Sequence, residues 1–545
     1  MITSRQEPMP FLRIPPFPRS RPVRIVDVAD RSASDDVAYV AARLRSDRVG
    51  GAFWGAQPEL PAGCDILLAP ASAAQGNAMV QALPAEQRAR ALALGRVGHG
   101  IAALAQRRPI DPWWLAERAA SILVDANDEL ALVAALVGCD VRLFGTGRFA
   151  GIDTPEGLHR ALHAELLANR TYRDPFTGAS CGIGAVLSLL SDWRRLIDSN
   201  RSIGQVLGVA GWKRETVEAL LWDGGVGPSY RLSASARGAT VLWRARVPAS
   251  VQRRIERRAA PVAELEDGFL RSAGLGANCV PPLSIAIDFQ GIHFDPAMPS
   301  DLETLLETAV FEAPLLDRAS ALIERIVNAG LSKYGRGGQR LRPPGGARRH
   351  VLVTGQVEDD RSVMTGGGGK TNLDLLQAAR AAEPDAYLIY KPHPDVEAGH
   401  RKGAIDDGLA AHYADRIERQ APISSLLEIA DAVHVLTSLA GFEALLRQKK
   451  VVTHGVPFYA GWGLTTDLGP VPSRRNRRRT LLELVAAALI VYPRYLDPVT
   501  RLPCDVEILV ARMIADETGE PTQLERLRTA QGKVRRWLVR IGSGL

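Results

Sequence analysis

Long apolar stretches are absent from this sequence, and their absence argues against an integral membrane protein. No uninterrupted run of about 18 apolar residues occurs, so the sequence predicts no transmembrane helix. Residues 1–22 contain neither an apolar core nor a small-residue cleavage site, so we expect no secretory signal there. Hydrophobic residues make up 46% and charged residues 23%, which excludes a fibrous or wholly disordered chain. We therefore expect a globular protein of the cytoplasm.

Cysteine is also scarce, and this argues against metal or disulfide scaffolds. The five cysteines are scattered and none lies in a Cys-x-x-Cys pair, so we expect no metal, no cofactor and no disulfide framework. The formal net charge of +7 is small for 545 residues and is compatible with anionic substrates or a membrane surface. Basic residues do not alternate with aromatic ones in the pattern that stacks bases, so we expect no nucleic-acid partner.

Short apolar runs alternate with helical patterns along most of the chain. This alternation predicts an α/β protein with parallel sheets covered on both faces, and 545 residues predict about three structural units. The predicted strands are Val23–Val28, Ile66–Leu68, Ile122–Asp125, Val141–Phe144, Gln205–Val209, Ala239–Trp243, Ser284–Asp288, Val351–Thr354, Ala386–Lys391, Ala432–Leu436 and Lys450–Thr453. The helices predicted in the first part are Asp36–Arg45, Glu86–Leu94 and Leu130–Leu136.

The sequence contains an internal repeat. Residues 132–151 align with residues 442–461 without a gap, and a Phe-Ala-Gly tripeptide falls on Tyr-Ala-Gly. Further on, residues 172–175 resemble residues 495–498, after a relative insertion that contains the basic run 474–479. Unrelated strand–helix units can share such patterns, but matches in the same order favour a duplication.

The densest cluster of reactive groups lies in residues 266–276. Glu266 and Asp267 follow an apolar run that predicts a strand, and Arg271, Ser272 and two glycines follow them. Adjacent side chains of a strand point to opposite faces, so one carboxylate can face a cleft while the other braces the loop. Ligands of open α/β sheets bind beyond the carboxyl ends of the strands, which favours an active site over a solvated acidic turn.

Two further clusters follow predicted strands in the C-terminal part. Lys391 and His393 leave one strand, and prolines on both sides of the histidine fix its direction, so both could meet a phosphate or carboxylate. The alternative is a rigid turn with a surface lysine. After Thr437, Ser438 is a natural N-cap whose helix offers backbone N–H groups to a phosphate, and Glu443 could accept ribose hydroxyls. The alternative is a plain capped helix.

Gln356 lies at the end of the strand Val351–Thr354 and opens toward the same cleft. Residues 366–371 resemble the end of a Walker loop but lack its first glycine, so Gly366–Gly369 are predicted to form a flexible loop. A carboxylate motif in one half, followed by a Lys/His and Ser/Glu set in the next, is typical of the GT-B plan of nucleotide-sugar glycosyltransferases. In that plan two Rossmann-like halves flank a cleft, and the C-terminal half holds the donor.

Seven strings of residues resemble the capsule polysaccharide biosynthesis family, and specifically its KpsC-type retaining β-Kdo glycosyltransferases. The strings are residues 266–276, 282–296, 299–303, 353–360, 390–403, 437–446 and 455–465. The resemblance extends from about Gly204 to about Asp516 and is greatest to the second transferase module of that family. One departure is Arg244, which follows Trp243 where the family pattern has glycine.

The resemblance implies transfer of Kdo from CMP-β-Kdo to a lipid-linked Kdo oligosaccharide during capsule biosynthesis and export, with retention and an expected β-(2→7) linkage. Retention beside a carboxylate favours double displacement. The family motif assigns Asp267 as the nucleophile, with Glu266 as the alternative nucleophile, a base or a brace. The expected binding residues are Arg271, Ser272 and Gln356 for the transferred sugar, Lys391, His393, Thr437 and Ser438 for the CMP phosphate, and Glu443 for the ribose.

Residues 22–200 resemble only the donor-side half of a first module. By the repeat, Ser438 falls on Asp128, whose carboxylate would repel CMP, and Glu443 falls on Val133, which cannot bond a ribose. We therefore predict a degenerate, non-catalytic half-module before the GT-B unit. The predicted segments are a disordered lead (1–21), the degenerate half-module (22–200), the acceptor-side half (204–342), the CMP-donor half (343–516) and a basic amphipathic tail (517–545).

Two alternatives remain open at this point. The chain could be a non-catalytic scaffold of the capsule assembly machinery, or a GT-B transferase that uses another nucleotide sugar. The expected partners are CMP-β-Kdo, the lipid-linked acceptor and other capsule biosynthesis and export proteins. The tail carries apolar and basic residues on a helical stripe over 521–541, which suits the inner face of the cytoplasmic membrane as well as packing on the protein body.

Overall fold

The computed structural model describes residues 9–28, 35–95, 97, 101–104, 109–232, 237–258, 260–272, 280–332, 335–336, 341–397, 399 and 401–517. The chain forms two compact units. Unit 1 consists of Met1–Ser202 and Leu221–Pro228, and unit 2 of Ile203–Leu220 and Ser229–Leu545. No helix in the described ranges is both long and apolar enough to cross a membrane. The predicted tail lies beyond residue 517 and so outside the described residues.

Unit 1 is built on a parallel sheet. Its strands are β1 (Val26–Val28), β2 (Ile66–Ala69), β3 (Ala91–Leu94), β4 (Ala102–Leu104), β5 (Ser121–Asp125), β6 (Asp140–Phe144), β7 (Arg170–Arg173) and β8 (Ser180–Cys181). Its helices are α1 (Val37–Asp47), α2 (Ala73–Gln81), α3 (Ala85–Arg88), α4 (Pro112–Ala116), α5 (Glu129–Val137), α6 (Pro155–Leu162) and α7 (Ile183–Asn200). Five strands form the parallel sheet in the order β4-β3-β2-β5-β6, and β1-β7-β8 form a small antiparallel sheet.

Unit 2 contains two larger sheets. Its strands are β9 (Ile203–Leu207), β10 (Ala239–Leu242), β11 (Val262–Asp267), β12 (Ser284–Asp288), β13 (Leu331–Ser332), β14 (Gly335–Arg336), β15 (His350–Thr354), β16 (Tyr387–Lys391), β17 (Arg416–Ile417), β18 (Ala432–Val435), β19 (Lys450–Thr453), β20 (Thr466–Asp467), β21 (Pro493–Leu496) and β22 (Pro503–Cys504). Its helices are α8 (Arg214–Leu220), α9 (Ala249–Glu256), α10 (Asp301–Thr308), α11 (Ala313–Asn328), α12 (Arg361–Gly366), α13 (Asn372–Ala382), α14 (Pro394–Glu397), α15 (Asp407–Ala411), α16 (Ile423–Ile429), α17 (Leu439–Leu446), α18 (Leu481–Val485) and α19 (Val506–Ile514).

The two sheets of unit 2 confirm the predicted α/β fold of the GT-B class. The first half carries the sheet β9-β10-β11-β12-β21-β22, and the second half carries the wholly parallel sheet β17-β16-β15-β18-β19-β20. The central strands β15 and β18 are fully buried, as expected for strands covered by helices on both faces. Because β9–β11 are parallel, their carboxyl ends meet at one edge of the first sheet.

The boundary predicted for the donor half is wrong at its C-terminal end. After α18 and a π-helical turn at Ala486–Val491, the chain leaves the second half, and β21 pairs with β12 of the first sheet. Residues 493–504 therefore complete the acceptor-side sheet. The physical reason is that β12 exposes an antiparallel edge that a returning strand can cover.

The predicted disorder of the lead is wrong for residues 9–21. Phe11, Leu12 and Phe17 are each no more than 3% exposed, and the ring of Phe17 packs edge-on against Trp193 and Trp222. Three large apolar side chains within seven residues bury enough surface to order the segment. The prolines around them restrict the unfolded chain, which lowers the entropic cost of ordering it.

The architecture of unit 1 matches that of the donor half, which favours a duplication. Both parallel sheets run in the same order, with β2 in the place of β15 and β5 in the place of β18. After each of these two parallel sheets the chain forms a π-helical turn that leads into a strand with a buried tyrosine. The tyrosine hydroxyl donates to the carbonyl six residues earlier: Tyr172 to Leu166 at 2.5 Å and Tyr495 to Leu489 at 2.6 Å. Among the described strands β7 pairs with β1 and β8, whereas its counterpart β21 joins a six-stranded sheet.

Candidate functional site

The two adjacent carboxylates are the last residues of β11. The strand pairs in antiparallel register with β12 through Asp267, so Glu266 and Asp267 alternate between the two faces. The Asp267 side chain is 22% exposed and the Glu266 side chain 18% exposed. Each carboxylate therefore has a different set of partners.

Asp267 is held by two cations. Lys213 Nζ donates to Asp267 Oδ1 at 3.0 Å, and Arg271 Nε donates to Asp267 Oδ2 at 2.9 Å. Burial by itself would raise the pKa of Asp267, but the two positive charges and their hydrogen bonds outweigh it and hold the pKa below its ordinary value. Asp267 is therefore a fixed, ionised carboxylate near neutral pH.

Lys213 is a site residue that the sequence analysis missed. It lies in the short 3-10 turn Gly211–Lys213 that follows β9, and it is 8% exposed. Its ammonium group lies 3.5 Å from the ring centroid of Trp243 and 5.0 Å from that of Trp212. Burial lowers the pKa of Lys213, and the Asp267 carboxylate opposes that shift. The sequence did offer a signal for this residue. Lys213 lies in the turn after β9, and β9 runs parallel to β11, which ends in the carboxylates, so the lysine and the carboxylates lie at the same edge of the sheet.

The guanidinium of Arg271 forms its hydrogen bonds with groups of the site. It is 2% exposed; besides Asp267, its guanidinium donates to Ser272 Oγ at 2.9 Å and to the Val280 carbonyl at 2.8 Å. Two of the three residues predicted to bind the transferred sugar, Arg271 and Ser272, are thus buried beside the nucleophile candidate. In this arrangement Arg271 orients Asp267 and favours its ionised form. A carboxylate of a ligand would have to share the Arg271 guanidinium with Asp267. The two glycines predicted to allow close approach lie in residues 273–279, outside the described part of the chain.

Glu266 has the opposite electrostatic character. Arg361, from the donor half, donates to Glu266 Oε1 at 3.2 Å and to Glu264 Oε2 at 2.9 Å. Burial and the neighbouring charge of Asp267 raise the pKa of Glu266 from 4.5 to about 7, although Arg361 and Lys213 act to lower it. One carboxylate is therefore held ionised while the other exchanges a proton near neutral pH, which is the division that acid–base catalysis needs.

Arg244, the departure from the family pattern, serves this second carboxylate group. Its Nε donates to Glu264 Oε1 at 2.5 Å, and its Nη1 donates to Gln252 and Glu256. Glu264 thus receives one arginine from each half of unit 2. A glycine at this position would leave Glu264 with Arg361 alone among the described residues.

In the donor half, the structure brings Gln356 and Thr437 together. The Gln356 amide donates to Thr437 Oγ1 at 3.0 Å and accepts from the Thr437 backbone N–H at 2.9 Å. Asn372 holds the Gln356 backbone by accepting its N–H and donating to its carbonyl. Gln356 therefore positions the turn between β18 and α17, a role that differs from the predicted contact with the transferred sugar.

Ser438 is the N-cap of α17, as the sequence predicts. Its hydroxyl accepts from the backbone N–H of Ala440 at 3.2 Å. The helix N-terminus lies beside Gly366, where an added Cβ would sit 3.0 Å from Thr437 Cγ2. The prediction of a flexible glycine loop is wrong for Gly366, which ends α12 and whose carbonyl accepts from the Val456 backbone N–H at 2.8 Å, whereas Gly367–Gly369 form the turn that follows. Glycine is needed for this close approach of the backbone to the helix N-terminus.

Lys391 and His393 leave β16 at the same edge of the sheet. The Lys391 ammonium donates to the Arg419 carbonyl at 2.8 Å, and burial lowers its pKa against the opposing charges of Glu418 and Glu397. His393 Nδ1 accepts from the Asp395 backbone N–H at 3.1 Å, which fixes the ring. Glu443 is 7% exposed on α17. In the described part of the chain no three His, Cys, Asp or Glu residues are grouped so as to hold a metal ion.

Comparisons with known proteins agree with this architecture. Residues 238–342 and 345–495 match the family described as capsule polysaccharide biosynthesis protein. The chain is 40% identical over 365 residues, 65% of its length, to the capsule polysaccharide modification protein LipA of Neisseria meningitidis, of which it covers 51%. It is 45% identical over 269 residues, 48% of its length, to the lipopolysaccharide-processing protein LpsZ of Rhizobium meliloti, of which it covers 61%. The chain thus spans about half the length of the curated relatives it matches.

The chain is also similar to a solved structure. The Thermosulfurimonas dismutans KpsC described as a beta Kdo 2,4 transferase is 33% identical with a TM-score of 0.50. The match covers 57% of this chain and 98% of that chain, so that chain is matched along almost its whole length.

Proposed function

Since the chain belongs to the capsule polysaccharide biosynthesis family and is of the KpsC type, we propose that it is a retaining glycosyltransferase that moves Kdo from CMP-β-Kdo to a lipid-linked oligosaccharide. The single observation that supports this most directly is the pair of carboxylates at the end of β11. One is held ionised by Lys213 and Arg271, and the other titrates near neutral pH. The proposed linkage is β-(2→7), in capsular polysaccharide biosynthesis and export.

The proposed reaction is a double displacement in which Asp267 is the nucleophile. A carboxylate oxygen of Asp267 attacks the anomeric carbon of Kdo as the bond from that carbon to the CMP phosphate oxygen breaks, and the electron pair leaves with CMP. In the second step an acceptor hydroxyl attacks the same carbon and Asp267 is released. Two inversions give retention.

Glu266 is proposed as the proton-handling group. Its raised pKa means that a substantial fraction is ionised near neutrality, so it can take the proton of the attacking acceptor hydroxyl and release it to water. Glu266 is the alternative nucleophile in this scheme, because it faces Arg361 of the donor half. Localising the covalent sugar decides between the two residues.

The donor half is proposed to hold CMP at the N-terminus of α17. Ser438 and the first backbone N–H groups of the helix are proposed to face the phosphate, and Gly366 packs closely against Thr437 beside them. Glu443 lies on the same helix and is proposed to bind the ribose hydroxyls. Lys391 and His393, which leave β16 two strands away from β18 in the same sheet, are proposed to neutralise the phosphate as it departs. The Lys391 ammonium would have to exchange its bond to the Arg419 carbonyl for the phosphate.

Unit 1 is proposed to be non-catalytic. Asp128 caps α5 by accepting from Leu130 N–H at 2.9 Å, so a carboxylate occupies the place of the Ser438 hydroxyl. The next residue, Glu129, receives both Nη groups of Arg13 at 2.7 Å and 2.8 Å. The N-terminal segment therefore contacts the first turn of the helix that would hold a phosphate. We propose that unit 1 contributes structure, and that the whole protein acts beside capsule proteins at the inner face of the membrane.

The proposal is tested by trapping the sugar on the enzyme. With CMP-Kdo alone, the wild type should release CMP and leave one Kdo mass on the tryptic peptide 259–271, which contains both carboxylates. Asp267→Asn should form no adduct and lose transfer by at least about a thousandfold, because an amide cannot act as the nucleophile. Glu218→Gln, which changes a half-buried helix carboxylate paired with Arg214 in the same half, is the matched control and should behave as wild type.

Four outcomes would contradict parts of the proposal. An adduct on Glu266, or normal transfer by Asp267→Asn, would reject the nucleophile. No CMP release by the wild type would favour a scaffold, and release of nucleotide only from other nucleotide sugars would reject CMP-Kdo as the donor. Methylation analysis of the product separates a 2,7 from a 2,4 linkage.

A further inference from the structure

Arg361 crosses from the donor half to the proposed catalytic carboxylates. It is the first residue of α12, which follows the exit of β15, and its side chain is 20% exposed. Its guanidinium bridges Glu264 and Glu266 and lies 5.1 Å from the ring centroid of Phe294. Among the described residues, Arg361 is the sole hydrogen-bond donor to the Glu266 carboxylate. The second half therefore determines the environment of a carboxylate that belongs to the first.

Glu264 gives Arg361 a fixed docking point. One oxygen of its carboxylate is held by Arg244, which is itself braced by Gln252 and Glu256 on α9. The other oxygen accepts from Arg361. Because Glu264 and Glu266 lie two residues apart on one strand, their side chains share a face, and a guanidinium docked on the first is also presented to the second.

The other end of α12 contacts the proposed phosphate site. Gly366 packs against Thr437, and its carbonyl accepts from the Val456 backbone N–H at 2.8 Å. Six residues of helix span about 9 Å. A single rigid turn-and-a-half of helix thus connects the N-terminus of α17 to the carboxylate of Glu266. The Thr365 hydroxyl on the same helix lies 2.9 Å from the Arg361 carbonyl and 3.1 Å from the Phe294 carbonyl of the first half, so its one proton is shared between these two acceptors.

We propose that Arg361 is a positioning residue that docks on Glu264 and holds Glu266 ready to accept the acceptor's proton, so that the proton-handling group is completed only when the donor half is in place. This inference rests on the proposed function for its catalytic consequence, but the docking itself is a property of the protein without substrate. Arg361 touches neither the anomeric carbon nor the leaving group in this scheme. It acts through Glu266.

The charged groups around Glu266 determine what loss of Arg361 does. Burial raises the pKa of Glu266 most, and the charges of Asp267 and Glu264 on the same strand raise it further; Arg361 from α12 and Lys213 from the turn after β9 lower it. Removing the guanidinium leaves two like charges opposed by Lys213. An opposite charge at this distance shifts a carboxyl pKa by about 1 unit or more, so Arg361→Gln should raise the pKa of Glu266 by about that amount.

The first test measures this without substrate. Protonated carboxyls react with a carbodiimide and an amine, and fragment masses of peptide 259–271 separate labelling of Glu266 from that of its neighbours. We expect half-labelling of Glu266 near pH 7 in the wild type and about 1 unit higher in Arg361→Gln. Arg348→Gln is the matched control: Arg348 lies in the same half before β15 and pairs with Asp415 at 2.7 Å, and its loss should not move the profile. An unchanged profile in Arg361→Gln would overturn the proposal.

The second test measures Kdo transfer against pH. If Arg361 acts through Glu266, Arg361→Gln should transfer about fivefold more slowly at pH 7 and approach the wild-type rate near pH 9, with KM for the donor unchanged within about twofold. A loss of the same size at every pH would mean a merely structural role and would overturn the proposal. Arg361→Lys keeps the charge but cannot bridge both carboxylates, so its pH profile of transfer should shift by an intermediate amount. This variant replaces Arg361→Gln in both tests if the glutamine variant is insoluble.

The two proposals fail in different ways. If no variant and not even the wild type transfers Kdo, the proposed function fails, while the labelling profile still decides whether Arg361 governs Glu266. If transfer is normal in the wild type and the labelling profile is the same in Arg361→Gln, the positioning role fails alone.

Discussion

The ion pair between Lys213 and Asp267 makes a strong prediction about stability. Lys213→Met keeps the apolar length of the side chain but removes the ammonium that donates to Asp267 at 3.0 Å and lies over Trp243. Breaking a buried pair from one side costs about 3–5 kcal/mol. Asp267 keeps Arg271 and its side chain is 22% exposed, so we expect a loss of about 2–3 kcal/mol from the free energy of unfolding.

A double-mutant cycle isolates the interaction. Lys213→Met, Asp267→Asn and the double variant should give a coupling energy of about 2 kcal/mol, since each single change leaves the other group buried without its partner. Because the chain has two units, global unfolding is not a two-state process, so the assay is native-state hydrogen exchange of the β11 peptide. Lys449→Met is the control, because Lys449 is half-buried and donates to a backbone carbonyl, that of Glu428, and it should cost less than about 0.5 kcal/mol.

The pH dependence of this coupling follows from the lowered pKa of Asp267. A carboxyl whose folded pKa lies below its unfolded value contributes stability above the unfolded pKa and loses it as the pH falls through the folded pKa. The coupling energy should therefore be equal at pH 6 and pH 8 and should decline below about pH 4. A coupling below about 0.5 kcal/mol at neutral pH would refute the electrostatic role assigned to Lys213.

Two further predictions concern the other carboxylate and the donor site. Folded Glu266 holds its proton up to about pH 7 whereas the unfolded chain releases it near 4.5, so the wild type should lose stability as the pH rises between these values. Glu266→Gln should show a flatter stability curve between pH 5 and pH 8 by native-state hydrogen exchange of the β11 peptide, and parallel curves would argue against the raised pKa. Ser438→Asp, which copies the Asp128 cap of unit 1, should weaken CMP binding at least about tenfold in calorimetry, and the wild type should bind one CMP per chain; two bound CMP would contradict a non-catalytic unit 1.

Local patterns of the sequence predicted much of the scaffold. The runs Ser284–Asp288 and Lys450–Thr453 are strands with the predicted bounds, because each is a short apolar segment between turn residues. The predicted helix Glu86–Leu94 is instead the short α3 followed by β3, since its apolar end is too short to distinguish a helix from a buried strand. Tertiary context decided in favour of the strand, because β2 offers a parallel edge for Ala91–Ala93.

The basic run 474–479 shows that a local sequence pattern does not predict long-range partners. The sequence marks it as an insertion in the repeat, but its charges do not lie on the surface as a simple patch. Arg474 and Arg475 both bind the carboxylate of Glu303 on α10, and Arg479 donates to backbone carbonyls at Leu306 and Ala309. A local pattern cannot predict such partners, because they lie some 170 residues away in the chain.

Hydrophobic runs and turn residues, which can be read locally, predicted which groups end the strands: the carboxylates of β11, the cap at Ser438 and the lysine and histidine after β16. Contacts between residues far apart in the chain set the partners and the charge of each group. Lys213 meets Asp267 across 54 positions and Arg361 meets Glu266 across 95. Two adjacent carboxylates of similar chemistry therefore acquire different pKa values, because alternation along β11 turns them toward different cations in a partly dry environment where such contacts dominate.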